Sequence, residues 1–337
     1  MIPRSFAAGA ACIALLATQP ASLAPRLDAL AERYYAQAAR IAVATGRDST
    51  MDYYQRLVDD AAMFDSAAPP GVSAGSWDEL RQSFARLDSS LATQLLDGAY
   101  QPMASVRGLG ESFVRSSKDG TVQPVAVYVP RSYSPARAAP LLIFLHGRLQ
   151  PESHLLSPQY IADLAEQTGT IVVAPYGRGD YDYNGSESDV YDAFDAACSA
   201  FNIDARRRYL AGYSMGGFSV FKIAPLHAGD WSAVMSISGA LLNSRAPRVL
   251  STMSRMRFYV LTGARDPIVA TNFAIDTAVF LRDSGLAVTF YSQSDGTHSI
   301  YSLRPIFAQA WLDMERGVVR APAGLAGNGS LPEAVSQ

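Results

Sequence analysis

A serine becomes a nucleophile only where a base can take its proton and a third group holds that base in the right tautomer. Ser214 stands in Tyr209-Leu210-Ala211-Gly212-Tyr213-Ser214-Met215-Gly216-Gly217, where a short apolar strand pattern runs into Gly-x-Ser-x-Gly and then into a helical pattern. That context reads as a nucleophile elbow, a strained strand-to-helix turn that lifts the hydroxyl clear of the backbone. Gly212 and Gly216 flank the serine because side chains there would collide as strand and helix approach. The helix starting at Met215 aims its first N–H groups at negative charge growing beside Ser214.

The chain has four histidines, so the search for a base is short. His298, in Asp295-Gly296-Thr297-His298, falls in a loop leaving the last predicted strand, the carboxyl edge a base must occupy. His154 and His227 read as surface or packing residues, and His146 matters chiefly for the backbone around it. The acid belongs at the end of an intervening strand, where Leu261-Thr262-Gly263-Ala264-Arg265-Asp266-Pro267 offers Asp266. Asp295 is the second candidate; its nearness to His298 along the chain makes the loop geometry awkward. Against these roles stand blander ones, a satisfied loop histidine and a turn-capping aspartate. An oxyanion next to Ser214 would take one N–H from Met215 and another from the loop after Leu145, at Gly147 or Arg148; losing one such donor typically costs about 3–4 kcal/mol of transition-state stabilisation. Tyr176, Arg178 and Tyr213 are candidates to line a substrate pocket, with loop packing as the plain alternative.

These residues need a sheet to hold them. Residues 25–104 read as a helical region: Leu27, Leu30, Ala31, Tyr34, Ala38, Ile41 and Ala42 share one helical face. A second helix carries Tyr53 to Ala61, and Ala-Pro-Pro-Gly at 68–71 ends it. A third opens on Ser76-Trp77-Asp78-Glu79, read as a capping box. This region is core packing in the simplest reading and a lid or partner face in the sharper one. From Gly108 the period changes to two, with a hairpin turning at Ser117-Lys118-Asp119-Gly120. The unbroken apolar run Leu141–Leu145 is that of a strand covered on both faces, and strands and helices alternate from there to about 315. An opening hairpin followed by β-α units predicts an α/β class with a mostly parallel sheet and helices on both faces, over 105–318. The tail 319–337 is expected to be flexible.

Phe144-Leu145-His146-Gly147, Gly212-Tyr213-Ser214-Met215-Gly216-Gly217, Asp266-Pro267 and Gly296-Thr297-His298 together resemble α/β-hydrolases of the secreted esterase type. Feruloyl and acetylxylan esterases and polyhydroxyalkanoate depolymerases are the nearest groups, over residues 108–315. The order Ser, Asp, His is that of these hydrolases. The resemblance implies Ser214, Asp266 and His298 as a triad, with Met215 and the position after His146-Gly147 as oxyanion donors. It implies nothing for residues 25–100. Pro175-Tyr176-Gly177-Arg178-Gly179-Asp180 and Gly185–Val190 also look like prolyl-oligopeptidase-type hydrolases. Those usually carry a β-propeller, and the amino-terminal region here is helical and too short for one.

Composition narrows the rest. A chain of 337 residues, 49% apolar and 18% charged, builds a sizeable core, and a formal charge of -3 gives no basic footprint for nucleic acid or anionic lipid. Residues 1–24 read as an export signal: Arg4, an apolar run from Phe6 to Ala17, and Ser22-Leu23-Ala24 as a small-residue cleavage pattern. A retained anchor is the alternative, because Pro25 is an awkward residue just after the cut. Cys198 is then the one cysteine of the mature chain and an inert thiol. No Cys/His cluster has zinc spacing and no Gly-rich loop ends in Gly-Lys-Ser. The acids of 180–195 read as a solvated helix start rather than a weak calcium site. The sequence therefore predicts an exported or periplasmic serine hydrolase of carboxylic esters, with no cofactor, no metal, no stable membrane insertion and an unassigned oligomeric state. A serine peptidase of short peptides and a catalytically silent binding fold are the alternatives.

Overall fold

The computed structural model describes residues 23–69, 72–179, 181–320, 325 and 327–333. The export signal expected over 1–24 lies outside them apart from Leu23 and Ala24, which open the first helix. Four helices form the amino-terminal region: α1 (Leu23–Ala36), α2 (Ala38–Thr45), α3 (Arg47–Met63) and α4 (Ala74–Asp97). The stripe Leu27–Ala42 divides at Gln37 between α1 and α2. The cap of α4 sits one turn earlier than the Ser-x-x-Glu pattern indicates. Ser73 is extended (φ -68°, ψ 154°) and its hydroxyl accepts the Ser76 N–H at 3.1 Å, so Ser76 is already helical.

The remaining elements alternate: β1 (Gly108–Arg115), β2 (Val122–Val129), β3 (Ala139–Leu145), α5 (Glu152–Leu156), α6 (Gln159–Thr168), β4 (Ile171–Pro175), α7 (Glu187–Ala200), β5 (Ile203–Tyr213) and α8 (Met215–Ile223). They continue with β6 (Ala233–Ile237), α9 (Ala246–Thr252), β7 (Arg257–Gly263), α10 (Thr271–Asp283), β8 (Ala287–Gln293) and α11 (Arg304–Arg316). The strands form one sheet in the order β1-β2-β4-β3-β5-β6-β7-β8. Only β2 runs against its neighbours; β3 to β8 are mutually parallel. Two apolar layers cover the sheet. One contains Leu141, Ile143, Leu210 and Phe258, the other Leu142, Phe144, Tyr209 and Trp311, so successive residues of one strand feed opposite layers.

The helical region shares a core with this domain. Leu27, Tyr34, Tyr53, Leu57 and Leu91 cluster with Val122 and Tyr176. At the centre of the contact Arg56 of α3 reaches Glu152 of α5 with two hydrogen bonds of 2.7 and 2.9 Å, and both side chains are buried. The guanidinium also lies 5.3 and 4.9 Å from the ring centres of Tyr53 and Tyr176.

The tail expected to be loose is partly docked. Leu325 and Leu331 pack on the core, Arg320 pairs with Asp313, and the Asn243 N–H donates to the Pro332 carbonyl at 2.9 Å. The acids of 180–195 also differ from a solvated helix start. Asp189 is buried and takes hydrogen bonds from Ser116 and Arg178, while Asp192 accepts the Ser117 N–H, so they brace the β1–β2 hairpin. Among the described residues no helix is long and apolar enough to cross a membrane.

Removing one partner of a buried ion pair strands the other without solvent, at a cost of about 3–5 kcal/mol. Arg56→Ala is therefore expected to lower unfolding stability by about that much in denaturant titration. Arg282→Ala, at an exposed pair, should leave the midpoint in place. Equal effects of the two would refute a structural role for Arg56.

Candidate active site

Strand β5 and helix α8 cross with almost nothing between them. A Cβ on Gly212 would lie 2.1 Å from the Gly216 carbonyl oxygen, and one on Gly216 would lie 2.4 Å from the Leu145 carbonyl oxygen. Ser214, between them, is held at φ 52° and ψ -116°, a conformation that costs a non-glycine residue about 1–3 kcal/mol. Backbone bonds hold it there: its N–H donates to the Ile237 carbonyl at 2.8 Å, and the Phe218 N–H donates to its own carbonyl at 3.1 Å. The strained turn places the hydroxyl at the carboxyl edge of the sheet.

His298 and Asp266 reach the same edge from the loops after β8 and β7. His298 Nε2 is 2.9 Å from Ser214 Oγ, and its Nδ1 is 2.8 Å from Asp266 Oδ2. The other oxygen of Asp266 accepts the N–H groups of Ile268 and Val269, each at 2.9 Å. Burial pushes the Asp266 carboxyl up, but the His298 bond and these two N–H donors outweigh it and hold it below the usual aspartate range. The ionised carboxylate thus fixes the proton on Nδ1 and turns the Nε2 lone pair towards the serine. Asp295, the second candidate, is exposed and accepts instead from Gln293 Nε2 at 2.6 Å.

Gly147 lies close by. A Cβ there would stand 3.0 Å from the Tyr213 ring and 3.4 Å from Ser214 Cβ, so a side chain would enter the space beside the nucleophile. Arg148 and Met215 line one cavity of about 380 Å³, together with His146, Tyr176, Leu149 and Pro151. The opposite wall of that cavity is α3, through Asp52, Gln55, Arg56 and Asp59. That cavity adjoins Ser214 through Met215, and neither it nor a second cavity of about 740 Å³, bounded by α4, α6 and the start of α11, has Ser214, His298 or Asp266 in its lining.

The three residues expected to line a pocket have separate fates. Tyr176 does line the cavity, with its ring buried and its hydroxyl bonded to Asp52 of α3. The Tyr213 hydroxyl donates to the His298 carbonyl at 2.5 Å, which makes it a brace for the histidine loop. Arg178 is enclosed by Asp119, Asp189 and Ser116 and lies outside the cavity lining. Its guanidinium holds the Asp119 carboxyl well below the ordinary range. The reading of His146 as a backbone marker understates it. Its buried ring spans the Gly147 carbonyl at 2.9 Å and the Tyr176 carbonyl at 2.6 Å, pinning the loop after β3. The contributions of α3 were not readable from spacing, because they come from a chain segment far from every strand end.

Residues 116–255 match the family described as "Putative esterase", which leaves the helical region outside the match. Over 127 residues the chain is 31% identical to a bifunctional acetylxylan esterase/xylanase of Neocallimastix patriciarum, covering 36% of this chain and 19% of that one. The chain therefore spans about a fifth of that relative's length. A ferulic acid esterase of Anaeromyces mucronatus, in complex with ferulic acid, superposes with a TM-score of 0.51 at 15% identity over 63% of this chain and 93% of that one. The chain has the α/β-hydrolase fold. An S-formylglutathione hydrolase of Agrobacterium tumefaciens has the same fold relation to it, with a TM-score of 0.51 at 16% identity over 63% and 95% of the two chains. Both likenesses concern the hydrolase fold, and the sequence similarity is to esterases.

Two outcomes follow for this site. Tyr213→Phe removes one hydrogen bond behind His298, worth about 1 kcal/mol, so kcat should fall about 3- to 10-fold with KM unchanged. A KM effect alone would instead make Tyr213 a substrate contact. Because folding depresses the Asp266 pKa, that group adds stability above the unfolded value of about 3.9 and loses it as pH falls through the folded value. Asp266→Asn should therefore flatten the acid limb of a thermal-melt profile below about pH 4; an unchanged limb would contradict the depressed pKa.

Proposed function

We propose that this α/β-hydrolase is an exported serine hydrolase that cleaves carboxylic esters through an acyl-enzyme. The observation that carries the reading is the hydrogen-bonded chain from Asp266 through His298 to Ser214, ending on a strained turn at the sheet edge. In this mechanism Ser214 Oγ attacks the ester carbonyl as His298 Nε2 takes its proton. The tetrahedral oxyanion is held by the Met215 N–H and by an N–H of the Gly147–Arg148 loop. His298 returns its proton to the departing alcohol, and Asp266 stabilises the imidazolium between the two transfers. Water then attacks the acyl carbonyl as His298 takes its proton, and His298 returns that proton to Ser214 Oγ as the acyl–oxygen bond breaks and the acid leaves.

Support for ester rather than amide substrates comes from the family match and from the acetylxylan esterase relative. The cleft favours a compact acyl group, since about 380 Å³ lies between the loop after β3 and the polar face of α3, next to Ser214 through Met215. Export rests on the residue pattern of 1–24. In this division of the chain 25–104 walls the site, 105–318 performs the chemistry and 319–337 follows as a tail.

The test is hydrolysis of p-nitrophenyl acetate, butyrate and palmitate beside peptide anilides, for the chain and for Ser214→Ala. Short esters should turn over fastest, and Ser214→Ala should lower kcat by about 10⁴-fold or more. Turnover of anilides alone would move the enzyme to the peptidases. A folded protein without either activity would make the hydrolase fold a binding module.

A further inference from the structure

The contact between the helical region and the hydrolase domain holds a second cluster that the proposed chemistry does not use. Asp60 of α3 and Asp88 of α4 are each 1% exposed, and none of their four carboxylate oxygens has a hydrogen-bond partner. His154 of α5 turns its Nε2 between them, 3.3 Å from Asp60 Oδ1 and 3.7 Å from Asp88 Oδ2, and that nitrogen also lacks a hydrogen bond. The ring is fixed by stacking on Phe84, with centres 3.7 Å apart at 17°. His154, read from sequence as a surface or packing residue, is therefore a half-buried side chain whose inward nitrogen has nothing conventional to bond.

Charge sharpens the problem. Arg56 faces Asp88 at 3.9 Å and is already committed to Glu152. Glu111 is buried next to this group, with both oxygens unpartnered. One guanidinium thus confronts four buried carboxylates, and uncompensated buried charge of that kind is strongly unfavourable.

We propose that Asp60, Asp88 and His154 form a structural site for one divalent transition-metal ion of the zinc type. The three ligand atoms lie within 4.8 Å of one another. Ligands at about 2.0–2.1 Å from a tetrahedral ion stand about 3.3–3.4 Å apart, close to the two separations made by Nε2. An imidazole with two carboxylates is a donor set that suits zinc better than calcium or magnesium, and a water or a second carboxylate oxygen would complete it. Such an ion would offset two of the buried negative charges. It would also tie α3 and α4 to α5, the helix directly after the loop that carries Gly147 and Arg148. The ion would therefore fasten the α3 wall over the cavity. The competing arrangement is a single proton shared by Asp60 and Asp88.

The deciding experiment is metal analysis of the full chain, purified without chelator, beside Asp60→Asn and His154→Ala. Expected are about one transition-metal ion per wild-type chain and its loss from both variants. Chelator treatment should lower the wild-type Tm by roughly 5 °C or more, and Zn²⁺ should restore it. Absence of retained metal, with no greater Tm response to Zn²⁺, Ni²⁺ or Mn²⁺ in the wild type than in His154→Ala, would overturn the proposal in favour of the shared proton. Metal that stays with both variants would overturn it as well, because the ion would sit elsewhere. Should the variants fail to fold, chelation and readdition on the wild type alone decides between the two.

Discussion

The close crossing of β5 and α8 is the constraint on which the rest of the site depends. At Gly212 and Gly216 the backbones approach to a distance that no side chain survives, and this contact forces Ser214 into its positive-φ turn. Such strain persists only where the surroundings over-determine it. Here the surroundings are the parallel ladder from β3 through β6 and the bond from the Ser214 N–H to Ile237. With the serine fixed, the position of every other site residue is set by where neighbouring strands end. Asp266 and His298 follow β7 and β8, and Gly147 follows β3, all at the same edge.

A site on strand ends is open to water on its outer side, and in this protein the helical region closes part of that side. It does so through polar contacts as well as apolar ones. The Arg56–Glu152 pair and the Tyr176–Asp52 bond join α3 to elements beside Ser214. Buried polar pairs of this kind add little net stability compared with an apolar interface, yet they penalise any displaced arrangement heavily. That asymmetry suits a wall that must stand in one place over a cavity of about 380 Å³. It also means that the loop after β3 is held from two directions, by the His146 ring within the domain and by α5 against α3 and α4.

Residue type and spacing carried the local chemistry and much of the architecture. The elbow was legible because glycine at both flanks of a serine, between a strand pattern and a helix pattern, has few other uses. Asp266 and His298 were legible because each falls just past an apolar strand, and in a parallel sheet all such ends share one edge. The alternation after Leu141 made the doubly covered sheet readable for the same reason. Misplacements arose where another contact, local or tertiary, overrides the signal that spacing suggests. Ser73 rather than Ser76 caps α4, and Gln37 divides a continuous apolar stripe. Arg178 looked like a pocket residue because its loop leaves a strand end, yet Asp119 and Asp189 claim its guanidinium.

By itself, then, the sequence determined the fold class, the strand ends and the serine, aspartate and histidine that meet at one edge, since each is encoded within a few neighbouring residues or by a period along the chain. Only the tertiary structure decided which residues face one another across the two regions. Arg56 meets Glu152, Asp52 meets Tyr176, and Asp60 and Asp88 meet His154 because three helices converge on one buried patch. No periodicity records such meetings. They depend on how apolar faces pack, and packing energy is spread over dozens of weak contacts that leave no mark at any single position.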